Sequence, residues 1–341
     1  MRKLVAIGLV ALLSLGLAQT RTLHLLTWSE YIDPDIVAQF EAEFDARIVI
    51  DTFESNEDAL AKLKAAGLGV YDLVVPTDYI IPTFLELGLL QPLDHSRLPN
   101  LDNLAKNFRN PPFDPGNTYT VAYQWGTTGI AFRKDIVEPP TSWEVIFNPQ
   151  SHGHPVALLD SMREMIGLAL LYLGHDFNSE NREELVQARE LLIRAKEGSI
   201  GFYGSPAARN LLLTGDAVYA VVYSGDALGA LAEGLADIDF VIPSEGGEIW
   251  VDNLAIVANA PNADLAHEFI NFILRPEIGA QLSNFLAFST PNQAALPFID
   301  EALKANPYIY PEAQVLERLH YIEDVANLEL WDLIWTQVRA R

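Results

Sequence analysis

The sequence predicts an α/β protein built as two lobes, on three observations. Short β-rich runs alternate with amphipathic helical patterns, first from residue 23 to about residue 80 and again from residue 142 onward. Alternation of this kind implies a parallel sheet with helices on its faces. The chain is 341 residues long, and at roughly 100 to 200 residues per domain that length favours two units. Half of the residues are hydrophobic and 10% are aromatic, which is ample for packed cores and too apolar for a disordered chain.

The first residues stand apart. Arg2 and Lys3 precede an apolar run over 4–15, and Gly16 and Ala18 fit the small-residue sites of a secretory peptidase. A signal peptide over residues 1–18 is expected, because the run is short of the roughly 20 apolar residues that span a bilayer. Residues 23–27 then read as a strand. Residues 34–44 read as a helix, with Pro34 in its first turn and Ile36, Val37, Phe40 and Phe44 on one face. A strand is expected over 47–53, and Ser55 with Asp58 gives a capping-box-like start to the next helix. A third strand over 71–75 stops at Pro76, and a helix follows from about Tyr79.

Residues 110–117 are rich in Pro, Asn and Gly and read as a loop. The stretch 119–132 has strand composition, interrupted at Gly126 and Gly129, and suits a passage from one lobe to the other. Helices are expected over 142–147, 162–173 and 182–196, with strands near 156–159, 217–223 and 240–242. Another strand-like run covers 249–257, and a helix over 264–274 is ended by Arg275 and Pro276.

Charge and composition narrow the function. Lys and Arg number 22 against 46 Asp and Glu, a formal charge of −24. Phosphate contacts need surplus cations, so nucleic acid is excluded as a partner. There is no cysteine, so neither a disulfide nor a cysteine-borne lipid anchor is available. A soluble monomer in a bacterial periplasm is expected, with no direct membrane anchor.

No phosphate loop, HExxH, CxxC or nucleophile-elbow pattern occurs. His152 and His154 form an HxH pair with no third ligand in sight, which reads as a solvated loop rather than a metal site. Neither cofactor nor metal is expected, and no enzymatic activity. A hydrolase using two carboxylates as acid and base is the alternative from that class.

What recurs is acid beside aromatic at strand-to-helix junctions, where ligands bind in α/β lobes. Trp28, Glu30 and Tyr31 follow the first strand, Tyr79 follows the third, Tyr223 and Asp226 end a later one, and Trp250 and Asp252 share a strand face. Ring faces cover methylenes and attract cations, worth roughly 0.5 to 2 kcal/mol per contact. Carboxylates take ammonium hydrogens in charge-assisted bonds. A flexible ligand with methylene stems and ammonium ends therefore matches. A neutral solute such as a sugar, or an amino acid, is the alternative, though a neutral ligand needs no such set of acids.

At these residues the sequence resembles the periplasmic spermidine/putrescine-binding proteins of polyamine ABC importers. The resemblance runs from Leu23 to nearly the C-terminus, on WSEY at Trp28, FESNE at Phe53, YDLVVP at Tyr71, EGG at Glu245 with WVD at Trp250, INFILRP at Ile270 and TPNQAA at Thr290. It implies the two-lobed periplasmic-binding-protein fold, with a hinge and an interlobe ligand cleft that closes on a polyamine. It also implies delivery to inner-membrane permease subunits with their ATPase. The lobes are expected at 19–126 plus about 252–299 and at 127–251 plus about 300–341, with crossings near 124–128, 251–254 and 297–301.

Carried over residue by residue, the resemblance assigns ligand contacts to Trp28, Glu30, Tyr31, Thr77 and Tyr79 on the first lobe. On the second it assigns Glu164, Tyr223, Trp250 and Asp252. Ser205 and Asp226 match positions used by putrescine-preferring members, and Ser161 stands where spermidine-preferring members place an aspartate. Trp250 follows the spermidine pattern, and Phe288 replaces a tyrosine.

Overall fold

The computed structural model describes residues 21–232 and 237–340, so the signal peptide expected over 1–18 lies outside the described residues. The chain begins with β1 (Arg21–Trp28), α1 (Pro34–Phe44), β2 (Ala46–Phe53), α2 (Asn56–Ala66), β3 (Leu73–Val74) and α3 (Ile81–Glu86). Local chemistry sets these ends. Asp33 caps α1 by accepting from the Asp35 amide, Pro34 takes the first position, and Asp45 closes the helix in the left-handed region at φ 48°. The Ser55 hydroxyl accepts from the Asp58 amide at the start of α2, as the sequence pattern implies.

The long β4 (Thr120–Arg133) leads to α4 (Glu144–Phe147), β5 (Val156–Leu159), α5 (Met162–Tyr172), α6 (Arg182–Gly198), β6 (Gly201–Tyr203), α7 (Ser205–Thr214) and β7 (Tyr219–Tyr223). Then come α8 (Ser224–Ala232), β8 (Ile238–Val241), β9 (Gly247–Ile256), α9 (Ala263–Ile273) and α10 (Pro276–Leu286). The chain finishes with α11 (Glu301–Lys304), α12 (Ala313–Leu316), β10 (Leu319–His320) and α13 (Leu328–Ala340). Pro276, expected only to end a helix, also opens α10, because proline at a first turn forfeits no intrahelical bond. The elements β6, α7, α8, α11, α12, β10 and α13 are not anticipated from the sequence.

The sheet order is β2-β1-β3-β9-β4-β7-β5-β6, with β8 on β4 and β10 on β9. A purely parallel sheet is not what forms. Both flanks are parallel, β1 with β2 and β3 on one side and β5 with β6 and β7 on the other. The middle is antiparallel: β9 pairs with β3 and β4, and β4 pairs with β7 and β8. The reason is connectivity. The chain leaves one flank along β4 and returns along β9, and a return beside an outgoing strand runs the opposite way.

The break expected at Gly126 and Gly129 is also absent. β4 is continuous, with one irregularity between Ala122 and Gln124. The glycines are there because rings lie on them: a Cβ would stand 2.6 Å from the Trp250 ring at Gly126 and 2.4 Å from Phe240 at Gly129.

Separate apolar cores support the two flanks. One joins β1, β9, α1 and α9 through Leu25, Leu254, Phe40, Phe269 and Phe272. Another joins β5, α4, α5, α6 and α13 through Leu158, Ile146, Ile166, Leu192 and Trp331. Fully burying each such side chain is worth about 1.5 to 3 kcal/mol. Between the flanks, over the antiparallel strands, lies the cavity described next.

Candidate functional site in the cleft

Side chains two apart on a strand share a face, so Glu248, Trp250 and Asp252 of β9 all turn the same way. Asp252 is buried, and its two oxygens are both engaged. Tyr31 Oη donates to Oδ2 at 2.7 Å and Thr77 Oγ1 donates to Oδ1 at 2.7 Å. Tyr31 is itself held from behind, as Tyr123 Oη donates to its carbonyl at 2.9 Å. The end of β1 supplies Trp28, whose indole N–H donates to the Val75 carbonyl at 3.0 Å and whose ring leans on Phe53.

From the opposite flank, the first turn of α5 brings Glu164, which accepts from Tyr223 Oη at 3.4 Å. Ser205, at the first position of α7, accepts from the Tyr223 amide at 2.9 Å. Asp226 projects from the first turn of α8 and hydrogen-bonds Ser205. Rings connect the two sides. Tyr223 meets Trp250 at 5.5 Å, Trp250 meets Phe288 at 5.1 Å, and Phe288 meets Tyr31 at 5.7 Å, all edge to face. Such pairs add about 0.5 to 1.5 kcal/mol beyond their buried area.

These groups surround one cavity of about 720 Å³, the size of a small-molecule site. Every residue singled out from the sequence lines it: Trp28, Glu30, Tyr31, Thr77 and Tyr79, then Glu164, Ser205, Tyr223 and Asp226, then Trp250, Asp252 and Phe288. Glu30 differs from the other acids. It sits at the rim with φ 54° and pairs with Arg209 of α7 at 3.3 Å, joining the two sides of the mouth.

The interior acids lack such partners. Among the described residues, none of Asp226, Glu164 and Asp252 forms an ion pair. Burial pushes Asp252 up to about 7 against the opposing hydrogen bonds from Thr77 and Tyr31. Burial likewise raises Asp226 to about 6, opposed by its bond to Ser205 and by the nearby Arg209 charge. Burial raises Glu164, Glu57 and Asp78 too. Tyr223 lies within electrostatic reach of Glu164 and Asp252, and Tyr31 within reach of Asp252 and Asp226. Among the described residues the cavity lining carries one cation, Arg209, already paired with Glu30 at the rim, so its interior carboxyl groups stabilise whatever cations enter.

Two residues escaped the sequence reading. Glu248 stands in the same EIWVD run as Trp250 and Asp252, and extending the two-residue period by one step points to it. Arg209 lies on α7, which Pro206 and Gly215 mark as a helix by proline in the first turn and glycine at the end.

An α/β sheet crossed by two antiparallel strands, with a ring- and acid-lined cavity at the crossing, defines a two-lobed solute-binding protein. The profile of the family described as bacterial extracellular solute-binding protein matches residues 35–310, and the chain belongs to that family. The spermidine/putrescine-binding periplasmic protein of Escherichia coli is 35% identical over 99% of this chain and 98% of its own. The putrescine/agmatine-binding protein of Pseudomonas aeruginosa is 36% identical over 99% of this chain and 96% of its own. A solved spermidine/putrescine ABC transporter substrate-binding protein from Streptococcus pneumoniae superposes with a TM-score of 0.78. It is 29% identical, covering 94% of this chain and 99% of its own. The fold is therefore that of the two-lobed periplasmic binding proteins. Among the described residues, no helix is long and apolar enough to cross a membrane.

Proposed function

We propose that this chain captures a polyamine, putrescine or spermidine, in the cleft and delivers it to an inner-membrane ABC importer without chemical change. The observation that carries this reading is a set of acids without ion-pair partners among the described residues, buried Glu164 and Asp252 and half-buried Asp226, lining one cavity with Tyr223, Trp250 and Tyr31. An alkyl diamine or triamine supplies ammonium hydrogens to the acids and methylenes to the rings. The names borne by the similar proteins of Escherichia coli and Pseudomonas aeruginosa support the same ligand class.

In this reading the signal peptide directs the chain to the periplasm, where it works as a monomer. One lobe comprises 19–126 and about 252–299 and the other 127–251 and about 300–341. The twelve cavity residues from Trp28 to Phe288 make the ligand contacts.

Asp252→Asn tests the reading. Removing one partner of a buried charge contact costs about 2 to 5 kcal/mol, so calorimetry with putrescine and spermidine should show affinity weakened by about 30-fold or more. Unchanged affinity would remove Asp252 from the ligand contacts. A neutral sugar bound equally well at all salt concentrations would replace the polyamine.

A further inference from the structure

Glu248 does not line the cavity, yet it is 1% exposed and sits directly behind one of the acids that do. Thr128 of β4 is the register partner of Tyr223 on one side and of Glu248 on the other. The Thr128 hydroxyl donates to Glu248 Oε2 at 2.7 Å, while Tyr223 donates to Glu164. The carboxyl groups of Glu164 and Glu248 also come within hydrogen-bonding reach of each other. Carboxylates carry only acceptors, so a bond between two of them requires a proton on one. Two like charges that close also resist ionising together.

Glu248 is the more deeply buried of the two, at 1% exposed against 6% for Glu164, and stands off the cavity that Glu164 lines, so burial places the shared proton on Glu248. The surroundings keep the proton there. Glu57 of α2 faces Glu164, and Asp78 before α3 faces Glu248. Tyr79 and Asp252 stand beside Tyr223, which itself touches the pair. His320 of β10 is the backbone partner of Glu248, with its ring stacked on Phe177. Among the described residues the cation in reach is Arg163 of α5, which also feels Glu57 and Asp324. Its guanidinium donates through one Nη to the Glu323 carbonyl at 2.8 Å and lies on the Trp331 ring at 4.7 Å, and among the described residues no ion pair joins it to Glu164 or Glu248. Acids outnumber cations around the pair, so one proton is retained in the empty cleft.

We propose that Glu248 is a positioning residue that stores one proton against Glu164 and surrenders it when an ammonium group docks there, coupling ligand capture at this end of the cleft to proton release. The inference rests on the polyamine reading above. In the empty site the Glu248 O–H holds Glu164 in place and limits the negative charge to one. When the ligand's ammonium donates to Glu164, the O–H bond of Glu248 breaks and its proton passes to solvent. The ammonium keeps all of its hydrogens, and the pair becomes doubly negative beside the incoming cation.

The test is calorimetry of spermidine binding to the full chain in buffers of differing ionisation enthalpy, for wild type and Glu248→Gln. Asp252 and Asp226 contribute protons to both proteins, so the difference isolates the pair. Wild type should release up to about one proton more per spermidine near neutral pH. The affinity of the variant should also vary less with pH. Equal release from both proteins overturns the proposal.

Should Glu248→Gln fail to fold, infrared spectra of wild type carrying 13C-labelled glutamate decide it. A protonated glutamic-acid carbonyl band should diminish on saturation with spermidine, and a band unchanged by ligand overturns the proposal. Absence of binding heat with either putrescine or spermidine in wild type has a different meaning, because it withdraws the polyamine reading itself.

Discussion

Asp252 shows how a single side chain connects burial with pH. Its carboxyl titrates at about 7 in the folded protein, against about 3.9 in an unfolded chain. Between those values the folded state holds a proton that the unfolded state has released, so stability declines as pH rises. The contribution is fully present below about pH 4 and lost by the time pH passes 7, and each tenfold difference in proton affinity is worth about 1.4 kcal/mol. Asp226, at about 6, acts in the same direction over a narrower window.

The ligand-free protein should therefore lose Tm from about pH 4 to pH 7, with a shallower loss in Asp252→Asn. The rise in Tm caused by spermidine should grow over the same range. A wild-type slope no steeper than that of the variant would contradict this. Trp250 and Asp252 were legible in the sequence because alternation on a strand needs no tertiary knowledge. The pairing of Glu248 with Glu164 was not, because it joins residues 84 apart through the packing of α5 on β9.

Gly126 and Gly129 make the corresponding case for an element. Composition alone reads glycine in a strand as a break, whereas β4 runs through both because each meets a ring rather than a turn. The ring itself cannot be inferred without knowing that β9 and β8 flank β4. The two positions differ in consequence. An added methyl at Gly126 would push on Trp250, a wall of the cavity, while one at Gly129 would push on Phe240 and the Val241 carbonyl, outside it.

Overpacking costs about 1 to 3 kcal/mol, so Gly126→Ala and Gly129→Ala should both lower Tm. Only Gly126→Ala should also weaken spermidine binding in calorimetry. Equal affinities in the two variants would mean that the Trp250 wall is not read by the ligand. The parallel flanks were legible from strand and helix alternation, and the antiparallel centre was hidden for the same reason as the rings: β4 looked broken.

At the scale of the whole molecule, the cleft contacts come from both flanks of the sheet. Trp28, Tyr31, Thr77 and Tyr79 stand on one side, and Glu164, Ser205 and Asp226 on the other. A ligand touching both favours the closed arrangement by its differential affinity for it. The Glu30–Arg209 pair already joins the two sides at the rim, but an exposed pair contributes only about 0 to 1 kcal/mol, too little to hold the molecule shut unaided. The helices α2 and α13 face each other across a second cavity beside the first, with Glu57 on one wall and Asp332 on the other. Because the chain contains no cysteine, Ala61→Cys on α2 with Asp332→Cys on α13 gives two unambiguous labelling sites on exposed positions. Electron–electron resonance between spin labels there should show the distance shorten and its distribution narrow when spermidine is added. Combining the pair with Arg209→Ala should broaden the ligand-free distribution and leave the ligand-bound one nearly unchanged. Identical distributions with and without spermidine would exclude hinge closure between these helices.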